Sequence, residues 1–222
     1  MDWSALALSF ELGVATTLVL SPLGLWLGRL LAFRQFAGKG FVEALVALPL
    51  LLPPTVIGFY LLIAFGLQSP LGALFQRVVG HTLAFSFEGL LLASVLINIP
   101  FVVQPIQRGF EGIPREVREA AACCGMSRVT SFLRIELPLA WPGITTGLVL
   151  AFAHTIGEFG VVLMVGGSIP GETKTIAIAI YDRVQAFDDQ AAGVMAATLL
   201  AITVLALGIT NTLARRIGKR HA

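Results

Sequence analysis

The amino-acid sequence predicts an all-α integral membrane protein. Apolar residues make up 56% of its 222 residues and charged residues only 13%, whereas soluble domains have roughly 45–50% apolar and about 25% charged residues. The mean hydropathy is +0.87. Five apolar runs approach or exceed the ~20 residues that a helix needs to cross the hydrocarbon core of a bilayer. We therefore predict a single membrane domain over residues 1–222 with about five spanning helices.

The five predicted spans are separated by clusters of charged residues. The first follows Asp2 and contains Glu11 instead of following a basic segment, so we interpret it as a retained helix and not as a cleaved signal peptide. A sixth, re-entrant or interfacial segment within residues 167–190 remains an alternative. The predicted spans cover residues 8–31, 42–67, 90–106, 139–166 and 191–213.

Basic residues are distributed unevenly between the two sides of these spans. Twelve of the fifteen Lys and Arg residues fall on one side: Arg29, Arg34 and Lys39; Arg108, Arg115, Arg118, Arg128 and Arg134; and Arg215, Arg216, Lys219 and Arg220. Arg77, Lys174 and Arg183 fall on the other. By the positive-inside rule, we predict that the amino terminus faces outward and that the carboxyl terminus faces the cytoplasm. An odd number of spans requires the same arrangement.

Glycine and proline modify three of the spans. Gly24 and Gly28 in span one, and Gly143 and Gly147 in span four, have GxxxG spacing, which predicts close helix contacts. Span two carries three prolines, Pro49, Pro53 and Pro54, which oppose a regular helix because they lack backbone donors. Irregular backbone at membrane depth is tolerated inside protein or beside a water-filled path. Span two therefore either touches such a path or carries a kink that shapes the bundle.

Glu158 is a carboxylate within a predicted span, where it costs about 2.5–3.5 kcal/mol on insertion scales. His154 precedes it by four residues and can face it on a helix. The pair is either a proton relay or gate, or a hydrogen-bonded packing group near the outer end of span four.

Catalytic and cofactor motifs are not evident in the sequence. FRQFAGKG has Phe33 at the first glycine position of a phosphate loop and Gly40 in place of its Ser or Thr, so we expect no ATP site. The histidines and the adjacent Cys123 and Cys124 lack metal-ligand spacing, so we expect no metal or other cofactor. The basic clusters flank membrane spans, which favours contact with lipid over binding of nucleic acid.

The cytoplasmic segment 108–138 is charged, with a run of small residues at its centre. A short helix is predicted after Pro114, because alanines favour helix. Gly125 is expected to end it, and Pro138 to stop helix continuation before span four. The nearly smooth face of Ala120, Ala121 and Gly125 suits insertion into a groove on another protein.

This segment resembles the EAA signature of ABC-importer permeases. Glu119-Ala120-Ala121 is followed after three residues by Gly125, and after nine more by Ile135-Glu136-Leu137-Pro138. Further stretches between Ala37 and Tyr181 resemble the family of molybdate, sulfate and tungstate permeases. The resemblance is strongest to the molybdate members of that family. These stretches are LPLLLPPTVIGFYLL, PLAWPGITTGLVLAFAHTIGEFG and SIPGETKTIAIAIY.

The resemblance implies a type I ABC-importer transmembrane domain in the bacterial inner membrane. It implies a homodimer of permeases, two cytoplasmic ATPases that bind ATP and Mg²⁺, and a periplasmic binding protein that delivers the oxyanion. The chain itself would be a transport subunit and not an enzyme. The ATPase-coupling residues would be Glu119, Ala120, Ala121, Gly125, Ile135, Leu137 and Pro138.

The predicted path is a weakly binding conduit, because no Lys or Arg lies deep in a predicted span. Its candidate pore or gate residues are Pro53, Pro54, Thr55, Ser94, Asn98, Thr145, Thr146, His154 and Glu158, with plain helix packing as the alternative. A tungstate or sulfate/thiosulfate permease of the same family remains open. An ion-coupled secondary transporter with a His154–Glu158 relay is a rival, but it leaves EAAACCG without a role and lacks an evident internal repeat.

Overall fold

The computed structural model describes residues 1–218, with side-chain surroundings to residue 206 and at residues 208 and 212. Lys219 and Arg220 of the predicted basic tail lie outside the described residues, as do the side chains of Arg215 and Arg216. The helices are α1 (Trp3–Phe33), α2 (Lys39–Leu51), α3 (Pro54–Phe65), α4 (Pro70–Val79), α5 (Phe87–Glu111), α6 (Arg115–Cys123), α7 (Arg128–Ser131), a π-helical turn (Phe132–Glu136), α8 (Leu137–Gly157), α9 (Gly160–Gly166), α10 (Ile176–Gln185) and α11 (Asp189–Gly218). The prediction of an all-α membrane protein is confirmed.

Helices α1, α5 and α8 form the centre of the bundle, and α11 packs on α8 and α10. Glycines bring the central helices together. A Cβ atom on Gly143 would lie 2.5 Å from the Pro105 carbonyl oxygen of α5, and one on Gly24 would lie 2.3 Å from a Val102 methyl. A Cβ atom on Gly28 would lie 2.7 Å from an Ile106 methyl, and one on Gly147 would lie 2.9 Å from the Val102 carbonyl oxygen. Both GxxxG motifs therefore make the close contacts that their spacing predicts.

Four helical stretches among the described residues are long and apolar enough to cross a membrane: Trp3–Phe33, Phe87–Glu111, Arg128–Gly157 and Asp189–Ala206. A fifth crossing requires α2 and α3 together, and these two helices meet at an angle of 107°. Pro53 and Pro54 lie at the bend and supply no backbone donor there, so the chain turns. Pro49, in contrast, is accommodated within α2.

The predicted fourth span, 139–166, differs from the observed helices. The helix begins at Arg128, runs through the π-helical turn, and stops at Gly157, with α9 as a separate short helix. Glu158 takes an extended conformation at the break, with φ −69° and ψ 131°. Its carboxylate accepts a hydrogen bond from the Val161 amide and so satisfies a donor at the start of α9.

The prediction that Pro138 stops the helix is wrong. Pro138 lies in the first turn of α8, directly after the π-helical turn, and the helix continues through it. In the π-helical turn the Leu137 amide donates to the Phe132 carbonyl oxygen, five residues back. This wider turn relaxes the backbone where a proline ring would otherwise clash with the preceding turn.

Helices α4 and α10 are short and lie outside the spans. Helix α4 exposes the apolar side chains of Leu71, Leu74 and Val78. Helix α10 falls in the region where a sixth segment remained open, and its ten residues reach about 15 Å, too short to cross the membrane. Its start is fixed to α1, because the Ile176 amide donates to the Ser9 hydroxyl over 2.8 Å.

Candidate functional site

The two helix breaks, at Leu52–Pro53 and at Glu158–Phe159, adjoin each other. A Cβ atom on Gly160 would lie 2.8 Å from the Pro54 Cβ atom and 3.7 Å from a Glu158 carboxylate oxygen. One on Gly58 would lie 2.7 Å from the Met164 Cβ atom. Because glycine carries no side chain, α3 and α9 pack with their backbones close. Two irregular backbone segments, both within predicted spans, therefore lie side by side.

A polar network connects the second break to α5. The Asn98 amide nitrogen donates to the Thr155 hydroxyl over 3.0 Å and to the Ser94 carbonyl over 2.8 Å, and the Asn98 amide oxygen lies 3.1 Å from His154 Nδ1. His154 Nε2 lies 3.7 Å from Glu158 Oε2. The other carboxylate oxygen, Oε1, lies 2.9 Å from the Val161 amide nitrogen. The network thus joins α5, α8 and α9.

The network is mostly enclosed. Asn98 and Thr155 are buried, Glu158 is 9% exposed, and the His154 ring stacks on Phe101 with 4.2 Å between ring centroids. The sequence predicts the facing of His154 and Glu158 and, separately, names Asn98 as a pore candidate. It does not predict that Asn98 contacts His154. Thr155 completes the network but was not among the predicted site residues. Its hydroxyl, next to His154 in the sequence, is the feature that could have indicated its role.

The remaining pore candidates divide into three sets. Pro53, Pro54 and Thr55 are exposed at the first helix break, beside the network. Ser94 lies one turn from Asn98, is fully buried, and its hydroxyl has no hydrogen-bond partner among the described residues. Thr145 and Thr146 lie nearer the start of α8, and their hydroxyls donate to the Trp141 and Pro142 carbonyls of the same helix. The structure therefore brings the network and the first break together, but not the two threonines.

The first half of the motif at residues 119–138 lies on an exposed helix, α6. Gly125 follows it with φ +72°, a left-handed conformation that suits glycine, and the Met126 amide donates back to the Ala121 carbonyl over 3.1 Å. Glu119 and Ala120 are exposed, and a Cβ atom on Gly125 would meet no atom of the described residues within 4 Å. Ala121 is buried against the protein. The helix ends at Gly125 as predicted, but the predicted smooth face is only partly exposed, because Ala121 packs against the protein while Ala120 and Gly125 lie on the outside.

The second half of the motif packs into the bundle. Ile135 belongs to the π-helical turn, and Leu137 and Pro138 to the first turn of α8; all three are partly buried. Leu137 contacts the central apolar cluster that includes Phe110 and Ile144. The motif therefore runs from an exposed helix to the base of a central membrane helix.

Glu136, between Ile135 and Leu137, is the centre of an ion-pair cluster that sequence reasoning missed. It is 3% exposed. Its Oε2 accepts from Arg29 Nε of α1 over 2.6 Å, and its Oε1 lies 3.5 Å from Arg118 Nε of α6. The Arg118 guanidinium also covers the Phe33 ring at 3.6 Å from its centroid. An acidic residue in a segment rich in arginines could have indicated an ion pair at Glu136. The sequence does not identify Arg29 as the partner, because Arg29 is 107 positions away in the chain.

Comparison with known proteins gives the chain its family. Residues 21–219 match the model of the family described as "Binding-protein-dependent transport system inner membrane component". The chain belongs to this family. Like other inner membrane components of such transport systems, it is a transport protein with several membrane-spanning helices.

Individual relatives of this inner membrane component carry more specific names. It is 44% identical over 210 residues to the molybdenum transport system permease protein ModB of Azotobacter vinelandii, covering 93% of this chain and 91% of that protein. It is 34% identical over 197 residues to the sulfate transport system permease protein CysT of Salmonella typhimurium, covering 89% of this chain and 71% of that protein.

The fold of this inner membrane component is that of an ABC-importer transmembrane domain. A chain of the bacterial alginate ABC transporter, solved in complex with an alginate pentasaccharide-bound periplasmic protein, superposes with a TM-score of 0.76. The match covers 96% of this chain and 78% of that chain at 17% sequence identity. At this identity the likeness concerns the fold.

Proposed function

We propose that the chain is the permease subunit of an ATP-driven importer, and that it forms the path for an oxyanion, molybdate, delivered by a periplasmic binding protein. The observation that carries this proposal is the 44% identity, over nearly its whole length, to a permease named for molybdenum transport. The arrangement of the chain agrees with it. An exposed helix suited to a partner's groove connects to the base of a central membrane helix, and the opposite end of that membrane helix lies at the two helix breaks.

The energy for transport comes from a partner in this proposal. Two copies of the permease associate with two cytoplasmic ATPase subunits, which bind ATP and Mg²⁺, while the permease itself binds no nucleotide. Helix α6, with Glu119, Ala120 and Gly125 on its outer side, seats in a cleft of the ATPase. The amino terminus lies in the periplasm and the carboxyl terminus in the cytoplasm.

Movement of α6 reaches the membrane helices through two connections. One is the chain itself, which continues from Gly125 through α7 and the π-helical turn into α8. The other is Glu136, which pairs with Arg118 on α6 and with Arg29 on α1. ATP binding that draws two copies of α6 together would therefore displace α1 and α8 as well, and change the access to the path.

The path itself holds the anion weakly. Among the described residues of the spans, the network beside the helix breaks offers amides, hydroxyls and one imidazole, and Glu158 adds a negative charge that repels an oxyanion. A site of this composition passes a divalent anion instead of storing it. Selectivity therefore belongs to the periplasmic binding protein.

A sulfate or tungstate permease is the second candidate, and the 34% identity to a sulfate permease supports it. The test is uptake in cells without molybdate and sulfate importers of their own that express this chain with its ATPase and binding protein. We expect the cells to take up molybdate. Excess tungstate should inhibit this uptake by competition, whereas excess sulfate should leave it nearly unchanged. Strong competition by sulfate would instead assign the chain to the sulfate permeases.

The same cells separate an ATP-driven importer from an ion-coupled transporter. An inactive ATPase partner should abolish uptake, while collapse of the proton gradient at constant ATP should leave it largely intact. The reverse result would contradict the proposal and favour a relay through His154 and Glu158.

A further inference from the structure

A cavity of about 980 Å³ opens between α1 and the segment that contains α6, α7 and the π-helical turn. This volume is at the upper end of the range of about 300–1,000 Å³ that is typical of small-molecule sites. None of the path candidates lines the cavity. Its ligand would therefore be distinct from the transported anion on its route through the bundle.

The cavity is apolar at one end and basic at the other. Leu25 and Trp26 of α1 form the apolar end, and Trp26 is 63% exposed. Arg34 and Arg128 form the basic end, at the point where α1 has ended and α7 begins. Pro22 and Arg34 are twelve positions apart, which corresponds to about 18 Å along the helix axis, so the two ends lie at different depths in the membrane.

The charge of the cavity is strongly positive. Among the described residues, four arginines and one glutamate line it. Glu136 is already engaged by Arg29 and Arg118, whereas the exposed Arg34 and Arg128 side chains form no ion pair or hydrogen bond with the described residues. Two guanidinium groups thus remain available for an anion at the side predicted to face the cytoplasm.

We propose that this cavity is a binding site for an anionic phospholipid of the inner leaflet. The lipid phosphate lies between Arg34 and Arg128, and the acyl chains lie along Leu25 and Trp26. Basic pockets between membrane helices on the cytoplasmic side are suited to anionic headgroups, because the negative surface potential of that leaflet supplies them. A small free oxyanion would use the arginines but would leave the long apolar wall exposed to water.

The test measures the lipid retained by the full chain purified in detergent with equal amounts of phosphatidylglycerol and phosphatidylcholine of identical acyl chains. Native mass spectrometry counts the bound molecules of each. We expect a preference for phosphatidylglycerol of tenfold or more. The pair Arg34→Gln and Arg128→Gln should bring the preference close to parity, because each basic group beside an anionic lipid contributes about fivefold.

The matched control is the pair Arg108→Gln and Arg134→Gln, which removes the same charge from exposed sites on the same side, outside the cavity. It should keep the preference within about twofold. The pair Arg34→Lys and Arg128→Lys preserves the charge and should largely restore the preference, which separates lipid recognition from a folding defect.

Three results would overturn the proposal. The first is an unchanged preference in the Arg34→Gln, Arg128→Gln pair, and the second is an equal loss in the control pair. The third is displacement of bound phosphatidylglycerol by millimolar molybdate or inorganic phosphate, which would assign the two arginines to a free oxyanion. None of these results depends on which anion the importer carries.

Discussion

Two buried carboxylates, Glu136 and Glu158, lie in the same continuous stretch of chain and are stabilised in different ways. Glu136, at the base of α8, pairs with two arginines from two other helices. Glu158, at the opposite end of α8, accepts a backbone hydrogen bond and lies near one imidazole. The first carboxylate has permanent counter-charges, whereas the second depends largely on an amide dipole.

This difference indicates different roles for the two ends of α8. A carboxylate between two guanidinium groups ties three segments together, because removing any partner leaves a buried charge unpaired. A carboxylate held by one amide and one imidazole can lose its charge with much less disturbance. The end of α8 near α6 is therefore built for firm connection, and the end at the helix break for smaller rearrangement.

The largest expected effect is that of Glu136→Ala. It leaves Arg29 and Arg118 without their shared partner, and we expect a loss of about 2–3 kcal/mol in unfolding free energy, near the low end for buried pairs because about a third of each arginine side chain is exposed. Denaturant unfolding in detergent measures the loss. Glu119→Ala is the control, since its exposed pair with Arg115 contributes little. Equal losses in the two variants would contradict the firm connection.

The next effect is that of Asn98→Ala in the network. The change removes one partner each from Thr155 and His154 inside the protein, at a cost of about 1–2 kcal/mol. Thr145→Val is the control, because among the described residues the Thr145 hydroxyl bonds only to carbonyls of its own helix. The same unfolding measurement applies, and a control as destabilised as Asn98→Ala would count against the network.

Gly125→Leu tests the exposed end of α6, the helix that Glu136 connects to the membrane helices. The side chain has space but meets an unfavourable positive φ, so we expect about 1 kcal/mol of destabilisation with membrane insertion intact. In the proposed assembly the added bulk would disturb the seating of α6 in the ATPase cleft, so uptake should fall strongly while ATP hydrolysis persists. Gly112→Leu is the control, since its φ of −69° accepts any side chain. Undiminished uptake with normal ATPase binding would refute the coupling role.

The smallest effect is expected for Glu158→Gln. The glutamine oxygen can still accept from the Val161 amide, so the cost should stay below about 1 kcal/mol. Uptake should survive in part, with its pH dependence unchanged. Glu136→Gln is the direct comparison and should cost more, because it removes the charge that faces two arginines. If the two exchanges cost the same, the contrast between the carboxylates fails.

Local features of the structure were predictable from the sequence. The spans follow from apolar runs, the end of α6 from Gly125, and the bend between α2 and α3 from consecutive prolines, because each depends on the chemistry of neighbouring residues. The facing of His154 and Glu158 follows from helical spacing in the same way. In these places, local preference and the final fold agree.

Features that depend on distant residues were not predictable. A single sequence does not show that Glu136 pairs with Arg29 or that Asn98 contacts His154. Several other arginines and polar side chains were equally plausible partners for these residues. The break at Glu158 was missed because the apolar run continues through it to Gly166, so hydropathy gives no boundary. The prediction that Pro138 stops the helix was wrong because the π-helical turn before it cannot be recognised from the amino-acid composition.

The π-helical turn also fixes the angular phase between the exposed helix and the membrane. Such a turn holds one residue more than an α-helical path of the same rise requires, and each residue of an α-helix advances by about 100°. Deleting one residue from Phe132–Glu136 would restore ordinary winding at the cost of rotating everything before it, Gly125 included, by about that angle against α8. The spacing of nine residues between Gly125 and Ile135 is therefore a rotational setting as well as a length.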